Sequence, residues 1–275
     1  MRSKLFVPCA RPDLFAKALA GDADALSFDL EDAVPEAGKA TARRALTEVL
    51  CSDAARSSTK TIIVRVNALA TAHFIADVMA LTECRVDLVN LPKVEDADDV
   101  RGAVAVLDRA GVAVDLLANI ESARGLAAAA SIAAAHPRVA GLQVGLNDLF
   151  GSLGIDRRDP RHVHAALWSI RLASGGADLF ACDGAWPDLS DDDGFRREAE
   201  LARSLGYCGK SCVHPRQVPI ANAVFDDSDA RAAARRLLAA AAVAEAEGHG
   251  AFTLDGRMID RPMIDQALTL LGMTR

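Results

Sequence analysis

Aromatic side chains are scarce in this sequence: one tyrosine, two tryptophans and nine phenylalanines among 275 residues. A core so poor in rings has to be assembled from alanine, valine and leucine, in many helices. Positive charge is in deficit, with 31 Lys and Arg against 38 Asp and Glu, a net of −7. That balance argues against nucleic acid as the partner. No apolar run suits a bilayer span, since "GLAAAASIAAAHP" and "RLLAAAAVAEAEG" are too short and too weakly apolar, and no membrane association is expected. The opening "MRSKLFVPCA" meets a proline after a short apolar run and carries no secretory signature, so a cytoplasmic location is expected. Six cysteines (9, 51, 84, 182, 208 and 212) are scattered as free thiols of a reducing compartment would be. Cys208, Cys212 and His214 in "YCGKSCVHP" lack a fourth ligand and the usual zinc spacing, and read as strand residues. Walker and dinucleotide fingerprints are missing too: the turn after the first apolar run reads "VPCARPDLF".

What is present is a repeat of form. Short apolar runs alternate with longer helical patterns: "KLFVP", "ALSFDLED", "TIIVRVN", "VDLVNLPKVE", "VDLLANIES", "VAGLQVGLNDL", "DLFACDGAW" and "GKSCVHP" are each followed by an amphipathic segment. Eight strand–helix units over about 225 residues predict an α/β fold, a closed (β/α)8 TIM barrel with a parallel sheet inside and helices outside. A doubly wound open sheet is the alternative, and the missing phosphate turn counts against it. The expected division is a barrel over residues 1–225 and a C-terminal helical extension over 226–275.

The strand ends are polar. In "DALSFDLEDAVPE" (24–36), Leu26, Phe28 and Leu30 share one face, while Ser27, Asp29 and Glu31 share the other. The apolar face belongs against the helices, which turns the acids into the lumen at the C-terminal mouth, where barrel enzymes keep their chemistry. Arg65 and Asn67, Lys93 and Glu95, Asn119 and Glu121, Asp148, and Lys210 with His214 repeat the pattern. One such residue is an ordinary helix cap; six strands ending this way point to a site. Inward charges are costly unless paired or metal-bound. Glu121 and Asp148, on successive strands, are the natural ligands, and hard carboxylates with few histidines favour Mg2+, or Mn2+, over zinc. The competing reading pairs these acids with Arg65 and Lys93.

In order along the chain, "RSKLFVP", "DLEDAVPEAGKATAR", "VRVN", "LPKVE", "NIESARGL", "GLNDLFGSLG", "GKSCVHPRQV" and "GAFTLDGRMIDRP" give a further signal. With these motifs, covering residues 2–262, the chain resembles the citrate lyase β-subunit-like (CitE-like) proteins of the HpcH/HpaI aldolase superfamily. The resemblance implies a (β/α)8 barrel with a C-terminal extension, commonly trimeric, that makes or breaks a carbon–carbon bond between an acyl-CoA and a 2-oxo acid. It implies Mg2+ on Glu121 and Asp148, Arg65 as a catalytic and substrate-holding group, and Asp260 of "GRMID" as a catalytic acid/base delivered from a neighbouring subunit. Loop amides around Asn147 and Leu149 are then expected to hold the oxo-acid carboxylate. Asp29, Glu31 and Asp32 are expected behind Arg65, positioning it. Lys39 and Arg43 are candidates for CoA phosphates, or else a solvated helix face.

Cys9 stands where the family usually has glycine, which predicts crowding of a thioester passing over the first strand. Leu146 and Asn147 replace smaller residues, which puts substrate size in question. Other readings are an aldolase acting on free 2-oxo acids without CoA, a Schiff-base enzyme using Lys93 or Lys210, and a binding protein that has kept the fold without turnover. Asp260 is also placed to cap the last helix ahead of Pro262.

Overall fold

A computed structural model describes residues 1–273. The chain divides into two compact units, Met1–Phe225 and a second beginning at Asp226. In the first, eight parallel strands close into a barrel in sequence order: β1 (Ser3–Pro8), β2 (Ala25–Asp29), β3 (Thr61–Arg65), β4 (Leu88–Leu91), β5 (Asp115–Ile120), β6 (Val139–Val144), β7 (Phe180–Ala185) and β8 (Gly209–Cys212). β8 closes on β1 through Ser3–Lys210, Lys4–Ser211 and Leu5–Cys212. Each strand reached from its neighbour by a helical crossover is the arrangement the alternating pattern predicts.

Side-chain parity divides the barrel into two cores. Leu5, Val7, Leu26, Phe28, Ile62, Val64, Val89 and Leu142 face outward into one continuous apolar layer beneath the helices. The intervening residues face the lumen. At its lower end Ala25, Ile63 and Leu88 form a separate small apolar plug. Lys4, Ser27, Asn90 and Gln143, all buried, face the lumen beside and beyond the plug, and Asp29, Arg65 and Asn119 follow at the strand ends. The lumen is therefore filled with side chains, apolar at the bottom and polar towards the C-terminal mouth.

The second unit contains the helix Ser228–Ala246, an antiparallel hairpin of β9 (Phe252–Leu254) and β10 (Arg257–Ile259), and the helix Arg261–Leu271. Asp255 and Gly256 both take positive φ at the hairpin turn (50° and 76°), a conformation that Asp-Gly supplies at low cost. Arg231 Nη1 donates to Leu270 O at 2.8 Å and ties the two helices together. No described helix is long and apolar enough to cross a membrane.

Candidate active site

The strand ends surround a cavity of about 450 Å3, lined by residues that include Pro8, Asp29, Asp32, Arg65, Asn119, Glu121, Gln143, Asp148, Ala185 and Val213. These lie at or just beyond the last residues of seven different elements of the barrel mouth. Parity aims the polar ends of β2, β3 and β5 inward, and the pocket is the outcome.

Arg65 is the most tightly held of them. Nε and Nη2 donate to Asp29 Oδ1 and Oδ2 at 2.8 and 2.7 Å, a bidentate fork. Nη1 meets Glu31 at 2.9 Å and Asp32 at 3.6 Å. Burial works against its charge, but the Asp29 hydrogen bonds and the charges of Asp29, Glu31 and Asp32 more than offset it, so the guanidinium stays charged. Asp29 also accepts the Glu31 and Ala33 amides, which folds the following loop back over the mouth. The other Glu31 oxygen holds Lys93 Nζ at 2.7 Å. Asp29, Glu31 and Asp32 thus surround Arg65.

Glu121 is differently placed. Its Oε1 accepts the Lys93 amide at 2.7 Å and Oε2 accepts Asn119 Nδ2 at 2.7 Å. Lys93 adopts φ of 53° to make that contact, a left-handed backbone that costs free energy in a lysine. Gly145 permits Glu121 to sit where it does, because a Cβ there would lie 2.6 Å from Oε2. Neither Glu121 nor Asp148 makes a direct ion pair with a lysine or arginine among the described residues; the charges of Arg65 and Lys93 act on Glu121 only from a distance, and both cations are paired with Asp29, Glu31 and Asp32 instead. Burial, then the charge of Glu31, with Asp148 adding to it, pushes the Glu121 carboxyl up to about 8. Asn119 leaves its buried Oδ1 without a protein partner. Two carboxylates and an unfilled oxygen, short of positive charge, are a donor set that fits a hard divalent cation with its remaining positions on water and substrate. No described group of three or more His, Cys, Asp or Glu forms a metal cluster, so any cation here rests on two carboxylates.

Asp148 and Asn147 are exposed at the start of the helix Leu146–Leu153. The amide of Leu149 is spent on Gly145 O at 3.1 Å and its side chain is fully buried. The expected anion contact at Leu149 is therefore corrected: a helix leaves its first amides open, here those of Leu146, Asn147 and Asp148, and the fourth closes the first turn.

Several other expectations change. Lys39 is not free for CoA. Its three donors go to Leu30 O, Glu31 O and Asn67 Oδ1 at 2.7, 2.7 and 2.6 Å, and it is buried beneath the loop carrying Glu31. Arg43 pairs with the buried Asp77 at 3.0 Å, and Asp77 in turn holds the amide and side chain of Asn67. Lys210 does not face the mouth. Register with β1 gives it the parity of Cys212 and Leu5, on the helix side, where it is fully buried between Asp183 (2.6 Å) and Glu198 (2.7 Å). Burial lowers the affinity of Lys210 for its proton, but those acids outweigh it, and Glu31 and Asp32 likewise hold Lys93 charged, so neither lysine is a free amine for a Schiff base. Cys9 is 1% exposed and packs in the core rather than over the mouth, so the expected crowding does not arise. Leu146 also points its side chain into the core. Of the suggested zinc group, Cys212 is buried in β8, with its thiol pushed up to about 12 by burial, and His214 accepts the Arg216 amide at a helix start.

In the second unit Asp260 caps the helix Arg261–Leu271 by accepting the Met263 amide at 3.5 Å, with Pro262 in the first turn.

The family model for HpcH/HpaI aldolase/citrate lyase matches residues 2–215. The chain belongs to this family. It is 38% identical to a (3S)-malyl-CoA thioesterase of Cereibacter sphaeroides, over 94% of this chain and 89% of that one. It is 36% identical to the L-malyl-CoA/beta-methylmalyl-CoA lyase of Rhodobacter capsulatus, over 97% and 92%. Among solved structures, CitE of Mycobacterium tuberculosis in complex with magnesium, acetoacetate and coenzyme A superposes with a TM-score of 0.76 at 35% identity, covering 99% of both chains.

One contact set had no sequence signal. Arg157, in the loop after the helix Leu146–Leu153, donates to Asn147 Oδ1 and is clamped by Glu198. Its partners are ten and 41 residues away, and no local pattern joins them.

Proposed function

We propose that this protein is a Mg2+-dependent carbon–carbon lyase, which cleaves or forms a 3-hydroxyacyl-CoA thioester of the malyl, citramalyl or citryl type and exchanges it with an acyl-CoA and a 2-oxo acid. The observation that carries the reading is the pair Glu121 and Asp148 at the barrel mouth, with no direct ion pair to a lysine or arginine among the described residues, facing a pocket that also holds the charged Arg65. Glu121 and Asp148 would hold the magnesium ion, which would supply Lewis-acid polarisation to the oxo-acid portion. The open amides at Leu146–Asp148 receive the carboxylate of that portion. Arg65, rigid on Asp29 and Glu31, neutralises charge that grows on the thioester oxygen as the bond breaks towards an enolate. Asp260 moves the proton at the enolate carbon, reaching the mouth from a neighbouring subunit of a homotrimer or larger homo-oligomer. A cytoplasmic setting agrees with six cysteines that are all free.

The similarity to a (3S)-malyl-CoA thioesterase supports a second reading, hydrolysis of such a thioester to the free hydroxy acid and CoA. An aldolase acting on free 2-oxo acids is a third, distinguished by its indifference to CoA. Calorimetric titration of Mg2+ with glyoxylate, pyruvate or oxaloacetate into the wild type and Asp148→Ala is the test. Metal-dependent binding of one acid by the wild type alone supports the site; equal binding by both proteins sinks it. Product analysis on malyl-CoA then separates a 2-oxo acid plus acyl-CoA from malate plus CoA.

A further inference from the structure

Arg157 is 17% exposed in its side chain and is held on several sides. Nη1 and Nη2 reach Glu198 Oε2 and Oε1 at 2.5 and 2.8 Å, and Nη2 is 3.4 Å from Ala185 O. Its guanidinium lies 5.2 Å from the centre of the Trp186 ring. Glu198 is itself 4% exposed and shared with Lys210, which Asp183 balances on its other side. Two cations and two anions balance in a largely buried cluster beside β7 and β8. Nε donates to Asn147 Oδ1 at 3.1 Å.

Asn147 is an exposed residue lining the mouth, one position before Asp148. Arginine carries only donors, so the oxygen of the Asn147 amide has to face it and the NH2 group has to face elsewhere. An unrestrained asparagine offers either end; this one offers two donors. We infer that Arg157 is a positioning residue that fixes Asn147 as a hydrogen-bond donor to an acceptor oxygen of the bound substrate, so that this pair sets which 2-oxo acids the mouth accepts. The inference rests on the proposed binding of a 2-oxo acid at the mouth. The preferred acids are those that carry an acceptor oxygen within reach of the amide, and analogues lacking it lose affinity because the two donors are left unpaired.

The test is a double-variant cycle at saturating Mg2+ and acyl-CoA, with unfolding temperature measured alongside. Asn147→Asp keeps the acceptor that Arg157 binds, removes both donors, and suits a helix first turn. It is expected to raise KM for the oxo acid about tenfold or more, with kcat within about threefold and the unfolding temperature unchanged. Arg157→Gln is expected to raise KM similarly, Arg157→Lys not to restore it, and the double variant to be no worse than either alone, because both act through one amide. If Arg157→Gln does not fold, Arg157→Lys, which keeps a charge beside Glu198, takes its place in the cycle. An unchanged KM in Asn147→Asp, or losses that add, overturns the inference. Absence of metal-dependent oxo-acid binding in the wild type is instead a failure of the proposed function.

Discussion

At the scale of single residues, the mouth separates two kinds of carboxylate. Asp29 and Glu31 are spent on Arg65, and their charge is answered within the protein. Among the described residues Glu121 accepts hydrogen bonds from an amide and an asparagine and makes no direct ion pair. Its carboxyl, ordinarily near 4.5, is pushed up to about 8, and the sign of the consequence is fixed. A group whose folded pKa lies above its unfolded one binds an extra proton in the folded state, so stability falls as pH rises through that interval. The metal-free protein is expected to lose thermal stability from about pH 4.5 to about pH 8 at this group, and excess Mg2+ to abolish the loss. Thermal unfolding across that range, with and without Mg2+, checks it; Mg2+ affinity should rise over the same range, with up to one proton released per ion. A flat metal-free profile with pH-independent affinity would remove Glu121 from the ligand set.

At the scale of elements, the loop from β2 is held from below. Lys39 gathers Leu30 O, Glu31 O and Asn67 Oδ1, and Asp77 anchors Asn67 and Arg43. This brace fixes the loop that presents Glu31 and Asp32 to Arg65 and Lys93. Lys39→Met removes the donor of the buried Asn67 Oδ1 and one of two donors to each of Leu30 O and Glu31 O, which keep Asn67 Nδ2 and the Val34 amide, and is expected to cost about 2 kcal/mol of stability. Denaturant unfolding measures that loss. KM for acyl-CoA is expected to stay near the wild-type value, whereas a selective rise in that KM would return Lys39 to the CoA phosphates.

At the scale of the whole molecule, the question is how Asp260 and the barrel mouth cooperate. On the proposed reading each active site takes Glu121 and Asp148 from one subunit and Asp260 from another. Asp148→Ala and Asp260→Ala are each expected to be inactive, and a mixture refolded together to regain part of the activity, since some sites then combine an intact mouth with an intact Asp260. Turnover measured on the mixed oligomer decides it. No recovery would mean that each subunit uses its own Asp260, or that Asp260 serves only as the cap of its helix.

The sequence by itself determined the barrel, the polarity of its mouth and the place there of Asp29, Arg65 and Glu121. Those are local properties: a period of two assigns Asp29, Arg65 and Glu121 to one face, and apolar neighbours such as Leu26, Phe28, Val64 and Ile120 assign the other. Only the tertiary structure decided what each polar group spends its bonds on. Lys210 looked like a mouth residue until the pairing of β8 with β1, two hundred residues apart, put it on the outer face. Lys39 looked like a surface cation until the loop above it closed on its ammonium. The amide of Leu149 was lost to a helix that starts one turn earlier, and Arg157 met Asn147 through a loop whose path no periodicity encodes. The physical reason is the same in each case: hydrophobic pattern is written along the chain, whereas hydrogen bonds and ion pairs form between groups that only folding brings within 3 Å.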